Sequence, residues 1–131
     1  MTITTVQLTK RYYGSLEPGR RQNLLEILDP HFVLELQEGL SAGRLHFVGI
    51  RQYFEDFLDF LYADVELELL PEEFIESGAR AVVTGRMRGR AIRTGAAFDI
   101  PFVHVWLASG RHLSHARFFT DTAILKEAIR S

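Results

Sequence analysis

The 131-residue chain contains no cysteine, which removes disulfides, thiolate nucleophiles and cysteine-ligated metals together. Nowhere do about 18 apolar residues run in succession, so no stretch reads as a membrane span. The opening Met1-Thr2-Ile3-Thr4-Thr5 has neither the basic start nor the apolar core of a secretory leader. Charge of one sign is scarce too: a net −2 gives no bulk attraction to nucleic acid or to an anionic membrane. Linkers, low-complexity tracts and internal repeats are missing as well. The expectation is a cytoplasmic chain with no nucleic-acid and no membrane partner. Its length allows one core that buries roughly two thirds of the unfolded surface, so a single domain over residues 1–131 is expected. With 47% hydrophobic and 24% charged residues, the composition is that of a folded protein and not of a disordered one.

Hydrophobic periodicity places most helices early and most strands late. Val6, Leu8, Tyr12 and Tyr13 suit a short amphipathic helix over Thr5 to Tyr13, with Thr4 or Thr5 as N-cap and Gly14 and Pro18-Gly19 ending it. Leu24, Leu25, Ile27 and Leu28 suit a second helix from Arg20 to Leu28, which Asp29-Pro30 stops because proline disfavours a helical residue before it. His31 to Leu36 alternates as a strand, with Phe32, Leu34 and Leu36 on one face. Glu38 to Val48 is a glycine-containing excursion with a short strand at Arg44 to Val48. Ile50, Tyr53, Phe54, Phe57, Leu58 and Leu61 recur at three and four residues, making Gly49 to Tyr62 the strongest helix. Val65 to Leu70 alternates again. The order helix, helix, strand, helix, then four long antiparallel strands is an α+β layout, with helices on one face of a curved sheet.

The segments Ala79 to Thr94 and Ala96 to Asp121 are the most informative, because two glycine turns, Thr94-Gly95 and Ser109-Gly110, put them in register. The first turn sets Arg90 opposite Asp99, Gly89 opposite Ile100, Met87 opposite Phe102 and Gly85 opposite His104. The second sets His104 opposite His115, Phe102 opposite Arg117, Ile100 opposite Phe119 and Phe98 opposite Asp121. One face then gathers all of these apolar rings with Trp106 and a few polar groups, the general composition of a small-molecule pocket. Gly85 and Gly89 either leave room for a ligand or let the sheet bend sharply. Arg86, Arg88 and Arg90 stripe the other face, which reads as exposed or subunit-facing.

In that register His104 and His115 titrate as a coupled pair with at least one ring neutral near pH 7. That suits acid/base work, and an ordinary hydrogen-bonded pair is the alternative. No metal is expected, because Asp121 lies about 20 Å along the strand from the histidines. Asp121 is either a general base held by Arg117 or the N-cap of a short terminal helix. Arg117 on an apolar face needs Asp121, a tyrosine hydroxyl or an anionic ligand as partner. Tyr12, Tyr13 and Tyr53 either aim hydroxyls into the pocket or serve as core aromatics.

The order of elements, with Phe102-Val103-His104-Val105-Trp106 and Arg117-Phe118-Phe119-Thr120-Asp121-Thr122, resembles the SnoaL-like group of the nuclear transport factor 2-like superfamily over nearly the whole chain. The resemblance implies a cone, in which a bent, mostly antiparallel sheet wraps three helices around an internal pocket, and a homodimer through the sheet. Ketosteroid isomerases, polyketide cyclases, dehydratases and epoxide hydrolases share that fold. By resemblance to the isomerases, Tyr12 stands where a tyrosine binds the developing enolate oxygen, His104 falls close to their second donor, and Leu36 replaces their catalytic aspartate. By resemblance to the cyclases, Asp121 is the acid/base candidate. The expected catalytic residues are His104, Asp121 and Tyr12. Tyr13, Tyr53, Phe54, Phe57, Met87, Phe102, Trp106, His115, Arg117 and Phe119 are expected to bind substrate, with no cofactor. The expected function is acid/base catalysis of isomerase, cyclase, dehydratase or hydrolase type on an apolar carbonyl-containing or cyclic small molecule. A non-catalytic ligand-binding or dimerisation module of the same fold is the alternative.

Overall fold

Thr4 opens the first helix by a reciprocal cap: its side chain accepts from the Gln7 amide while the Gln7 side chain accepts from its own. In the computed structural model, which describes residues 3–37 and 45–130, this helix is α1 (Thr5–Gly14). It buries Leu8, Tyr12 and the small Thr5 and Thr9 along one stripe. The helix expected from Arg20 to Leu28 is instead a 3₁₀ turn over Pro18–Asn23 and a single turn, α2 (Leu24–Ile27). Strand β1 (Leu28–Leu36) starts three residues before His31 and takes in Asp29 and Pro30. Pro30 is tolerated there because the pairing of β1 is irregular between Leu28 and Val33, where its missing N–H leaves no ladder bond unmade.

The short strand expected at Arg44 to Val48 is β2 (His46–Val48), and positions 38–44 of that excursion lie outside the described residues. The strongly periodic segment is helical, as α3, but its first part, Gln52–Leu58, is wound as a π-helix before the α-helical Asp59–Asp64. The Asp59 amide accordingly reaches back five residues to the Phe54 carbonyl. Such wide turns in helices are found frequently at functional sites. No helix among the described residues is long and apolar enough to cross a membrane.

Four long strands follow, β3 (Val65–Ser77), β4 (Arg80–Ala91), β5 (Ala97–Ser109) and β6 (His112–Thr120), and then α4 (Thr122–Arg130). The six strands form one sheet in the order β2-β1-β6-β5-β4-β3, antiparallel throughout except for the parallel pair β1 and β6. This is the expected α+β cone: one face of the sheet wraps around the helices, and Trp106, Tyr12, Tyr53, Phe32 and Phe102 sit at the centre with essentially no exposure.

Both registers differ from expectation, with different consequences. Between β4 and β5 the connection is longer than Thr94-Gly95, because the Ala91 amide already bonds the Ala96 carbonyl. The pairing therefore slips by two residues, placing Asp99 opposite Arg88, Gly89 opposite Phe98, Met87 opposite Ile100, Gly85 opposite Phe102 and Val83 opposite His104. A slip of two preserves the face of every side chain. The cross-strand charge pair becomes a triplet, with Asp99 accepting from Arg86 at 2.9 Å and Arg88 at 3.0 Å, while Arg90 meets Glu66.

Between β5 and β6 the turn falls at Gly110-Arg111, and a bulge at Ser114 adds one more residue. The accumulated shift is odd, so His104 faces Phe118 and His115 faces Leu107. Ala116, Phe118 and Thr120 consequently turn inward, and His115, Arg117 and Phe119 turn to the outer face. The glycines serve curvature. A Cβ at Gly85 would lie 2.2 Å from the Leu70 carbonyl oxygen and 2.9 Å from the Phe102 ring. One at Gly89 would lie 2.0 Å from the Glu66 oxygen and 2.9 Å from Phe98. Strand β3 folds over β4 at these two points, and a phenylalanine from β5 fills the space beside each.

Candidate active site

Inside the cone, α1, α3 and the inner faces of β3 to β6 leave a cavity of about 50 Å³. That is far below the roughly 300 Å³ at which pockets for drug-sized ligands begin, so it is a slot and not a chamber. Its walls are the apolar Leu36, Phe57, Leu58, Leu61, Met87, Phe102 and Phe118, with Leu67 and Leu69 from β3. Half-buried Leu16, Tyr62, Thr120 and Thr122 and the exposed Gln37 form its rim. Tyr12 and His104 are its deeply buried polar groups. Among the described lining residues there is no aspartate, glutamate, lysine or arginine.

His104 is fixed by its neighbours on three sides. Its ring packs against Phe118 at 3.8 Å and Phe102 at 4.3 Å between centroids. Its Nδ1 lies 2.6 Å from the Tyr13 hydroxyl, and that hydroxyl also accepts from the Trp106 indole N–H at 3.1 Å. Nε2 has no partner among the described residues, yet the one fully buried unpartnered side-chain polar atom there is Nε of Arg21. Nε2 is therefore open to the slot. Burial without a compensating charge pushes the imidazole well below its ordinary value, so the ring is neutral near pH 7.

Tyr12 meets the Tyr53 hydroxyl in a buried pair. Burial raises the ionisation of both well above the ordinary phenol range, with the Tyr53 hydrogen bond partly offsetting the effect on Tyr12. Both phenols therefore remain protonated donors. At the rim, Arg21 stacks over Tyr62 at 4.8 Å and pairs with Asp59 at 3.0 Å, which braces the mouth.

The expected site residues thus divide three ways. Tyr12, Phe57, Met87, Phe102 and His104 line the slot. Tyr13, Tyr53 and Trp106 stand behind it, in contact with His104 or Tyr12, while Phe54 packs edge-on against Tyr53 at 5.8 Å without reaching it. His115, Arg117, Phe119 and Asp121 are elsewhere. His115 lies 3.4 Å from Glu35 on the outer face, opposite Leu107, so the expected cross-strand pair with His104 does not form. Arg117 stacks over Phe119 at 6.0 Å, and no ion pair joins it to Asp121 among the described residues. Asp121 is exposed, and its carboxylate accepts from the Ile124 amide at 3.2 Å, capping α4. The lining residues that sequence reasoning overlooked are chiefly Phe118, Thr120, Tyr62, Leu67 and Leu69. Leu113, Ala116 and Phe118 carry the signal for the first two, since apolar residues three apart and then two apart reveal the bulge.

Residues 9–111 match the family described as the SnoaL-like domain. This chain is a member of that family. Solved structures similar to the SnoaL-like chain cover it almost entirely. An NTF2-like protein of unknown function from Burkholderia pseudomallei is 26% identical, covering 98% of this chain and 100% of its own, with a TM-score of 0.87. TerC, co-crystallised with polyporic acid, is 22% identical over 97% of this chain and 98% of its own, at 0.86. A putative SnoaL-like polyketide cyclase from Jannaschia sp. is 22% identical over 97% and 92%, at 0.83. At such identities the likeness carries the fold. No curated protein matches the SnoaL-like chain.

Proposed function

We propose that the slot binds an apolar carbonyl-containing or cyclic small molecule and that the chain acts on it by acid/base chemistry without a cofactor, with His104 meeting the substrate oxygen. The observation that carries this reading is the open Nε2 of His104, a neutral and otherwise desolvated ring in an apolar slot, where a hydrogen bond to developing negative charge is stronger than in water. Tyr12 lines the same slot, and with Tyr53 donating to it in the buried pair its own hydrogen serves as a second donor. TerC, of closely similar fold, was co-crystallised with polyporic acid, which is in keeping with an organic ligand for this chain. A ligand larger than the slot enters by displacing rim side chains such as Leu16 and Tyr62. Asp121 stays in the proposal only as the cap that seats α4, since its carboxylate is already engaged.

The non-catalytic binding module is the second reading, favoured by the lack of any carboxylate base among the described lining residues. The two readings part in one experiment. Native mass spectrometry of the purified protein tests for a retained ligand, and α-deuteration of 2-tetralone in D₂O is followed with the wild type and His104→Gln. Acceleration by the wild type that His104→Gln loses supports catalysis. Binding with no acceleration over buffer leaves the binding module, and no binding removes both. A homodimer through the outer face of the sheet belongs to the same proposal. That face exposes Val48, Ile75 and Val103, three large apolar side chains that a second sheet would cover.

A further inference from the structure

The hydrogen-bond chain behind His104 has a direction. An indole N–H can only donate, so the Tyr13 oxygen is an acceptor towards Trp106. The phenol keeps one hydrogen, and the acceptor within reach is Nδ1 of His104 at 2.6 Å. The reverse assignment, Nδ1–H donating to the same oxygen, would leave the Tyr13 hydrogen without an acceptor among the described residues, at the cost of an unmade bond. Tyr13 is half-buried as a residue, with its hydroxyl between two buried rings, Trp106 at 0% exposure and His104 at 4%. Among the described residues nothing ionised reaches the ring: α1 contributes Tyr13, β5 contributes Phe102 and Trp106, β6 contributes Phe118, and Tyr12 lines the same slot.

We propose that Trp106 and Tyr13 are positioning residues that hold His104 as the Nδ1-acceptor, Nε2–H tautomer, so that the slot selects ligands bearing a hydrogen-bond-accepting oxygen and rejects those bearing a donor at that point. This deepens the binding reading above and rests on it for its ligand class. The free protein, in contrast, tests the tautomer without any ligand. A carbonyl or phenolate oxygen fits the site as described. An amine or ammonium group would set one hydrogen against another and leave both unmatched.

The test is long-range ¹H–¹⁵N NMR of the imidazole in the free wild type near neutral pH, with Tyr13→Phe as the comparison. The expected wild-type spectrum has a pyridine-like Nδ1 and a pyrrole-like Nε2. Tyr13→Phe, which keeps the ring and so the packing, yields a mixture of tautomers. A wild-type ring protonated at Nδ1 overturns the proposal, as does a Tyr13→Phe spectrum identical to the wild type. The ligand class is tested with acetophenone and its isostere α-methylstyrene, which has a methylene in place of the carbonyl oxygen. The acetophenone to α-methylstyrene affinity ratio is expected to be about threefold to tenfold higher in the wild type than in Tyr13→Phe, the worth of one hydrogen bond. The ratio cancels the differing hydrophobicity of the probes. An unchanged ratio overturns the selectivity. If the tautomer is as expected but neither probe perturbs a slot resonance, the binding reading falls and takes the ligand class with it, whereas an Nδ1–H ring overturns the relay itself.

Discussion

His104 links its own titration to folding. Its value in the folded chain lies well below the 6.5 of an ordinary histidine, because burial penalises the charged ring. Between those two values the unfolded chain binds a proton that the folded chain does not. The contribution to stability is therefore whole above about pH 6.5 and is lost as pH falls towards the folded value. Tyr12, Tyr13 and Tyr62, the ionisable neighbours, have values raised by burial and stay protonated throughout. Urea denaturation at a series of pH values should show a slope of up to about 1.4 kcal/mol per pH unit that His104→Gln removes. The tyrosine pair makes a second prediction at this scale. Tyr12→Phe or Tyr53→Phe leaves the other hydroxyl buried without its partner, at about 1–3 kcal/mol each. The double variant should cost less than the two singles together, which a double-mutant cycle in denaturant measures.

Among the elements, β4 has the least latitude. Gly85→Ala and Gly89→Ala each drive a methyl group into the backbone of β3, and each should lower stability by at least about 2 kcal/mol. Gly14→Ala, where a Cβ meets nothing within 4 Å, should stay within about 0.5 kcal/mol or stabilise slightly. Equilibrium unfolding of the three variants checks the contrast. The same strands mark how far the sequence alone can be read. Period-two alternation in β4 and β5 identified their inner residues correctly despite a wrong pairing partner, since the slip was even. In β6 the extra residue at Ser114 has no side-chain signature of its own; its hydroxyl simply bonds the Leu107 carbonyl at 3.2 Å. Everything after it falls on the face opposite to the one that period-two alternation gives, His115 and Arg117 among the polar residues expected in the site. Arg117 carries the warning, as a guanidinium on an apolar face that needs Asp121, a tyrosine hydroxyl or an anionic ligand beside it. The π-helical winding of α3 was equally hidden, because Tyr53, Phe57 and Leu61 satisfy a 3.6-residue period well enough to pass for regular helix.

At the scale of the whole molecule, helices fill one side of the sheet and leave the other to solvent or to a second copy. Arg86, Arg88 and Asp99 tie β4 to β5 across that outer face, and Val103 stands beside them with 38% of its surface exposed. If two sheets meet there, sedimentation should return about twice the 15.0 kDa chain mass, and Val103→Glu should halve it while leaving the fold intact by circular dichroism. A monomeric wild type would remove the dimer from the proposal. The bulge in β6 also has a consequence for descent. Ser114 is the residue in excess on this strand, since Leu113 pairs with Ala108 and His115 with Leu107. Deleting it would regularise the ladder and leave Ala116, Phe118 and Thr120 on the inner face, whereas a ladder that kept it without the bulge would turn His115, Arg117 and Phe119 inward. A lineage carrying this fold can thus gain or lose the codon for the bulge and keep an uncharged cavity, and a one-residue gap at this point of an alignment would mark no change of face beyond it.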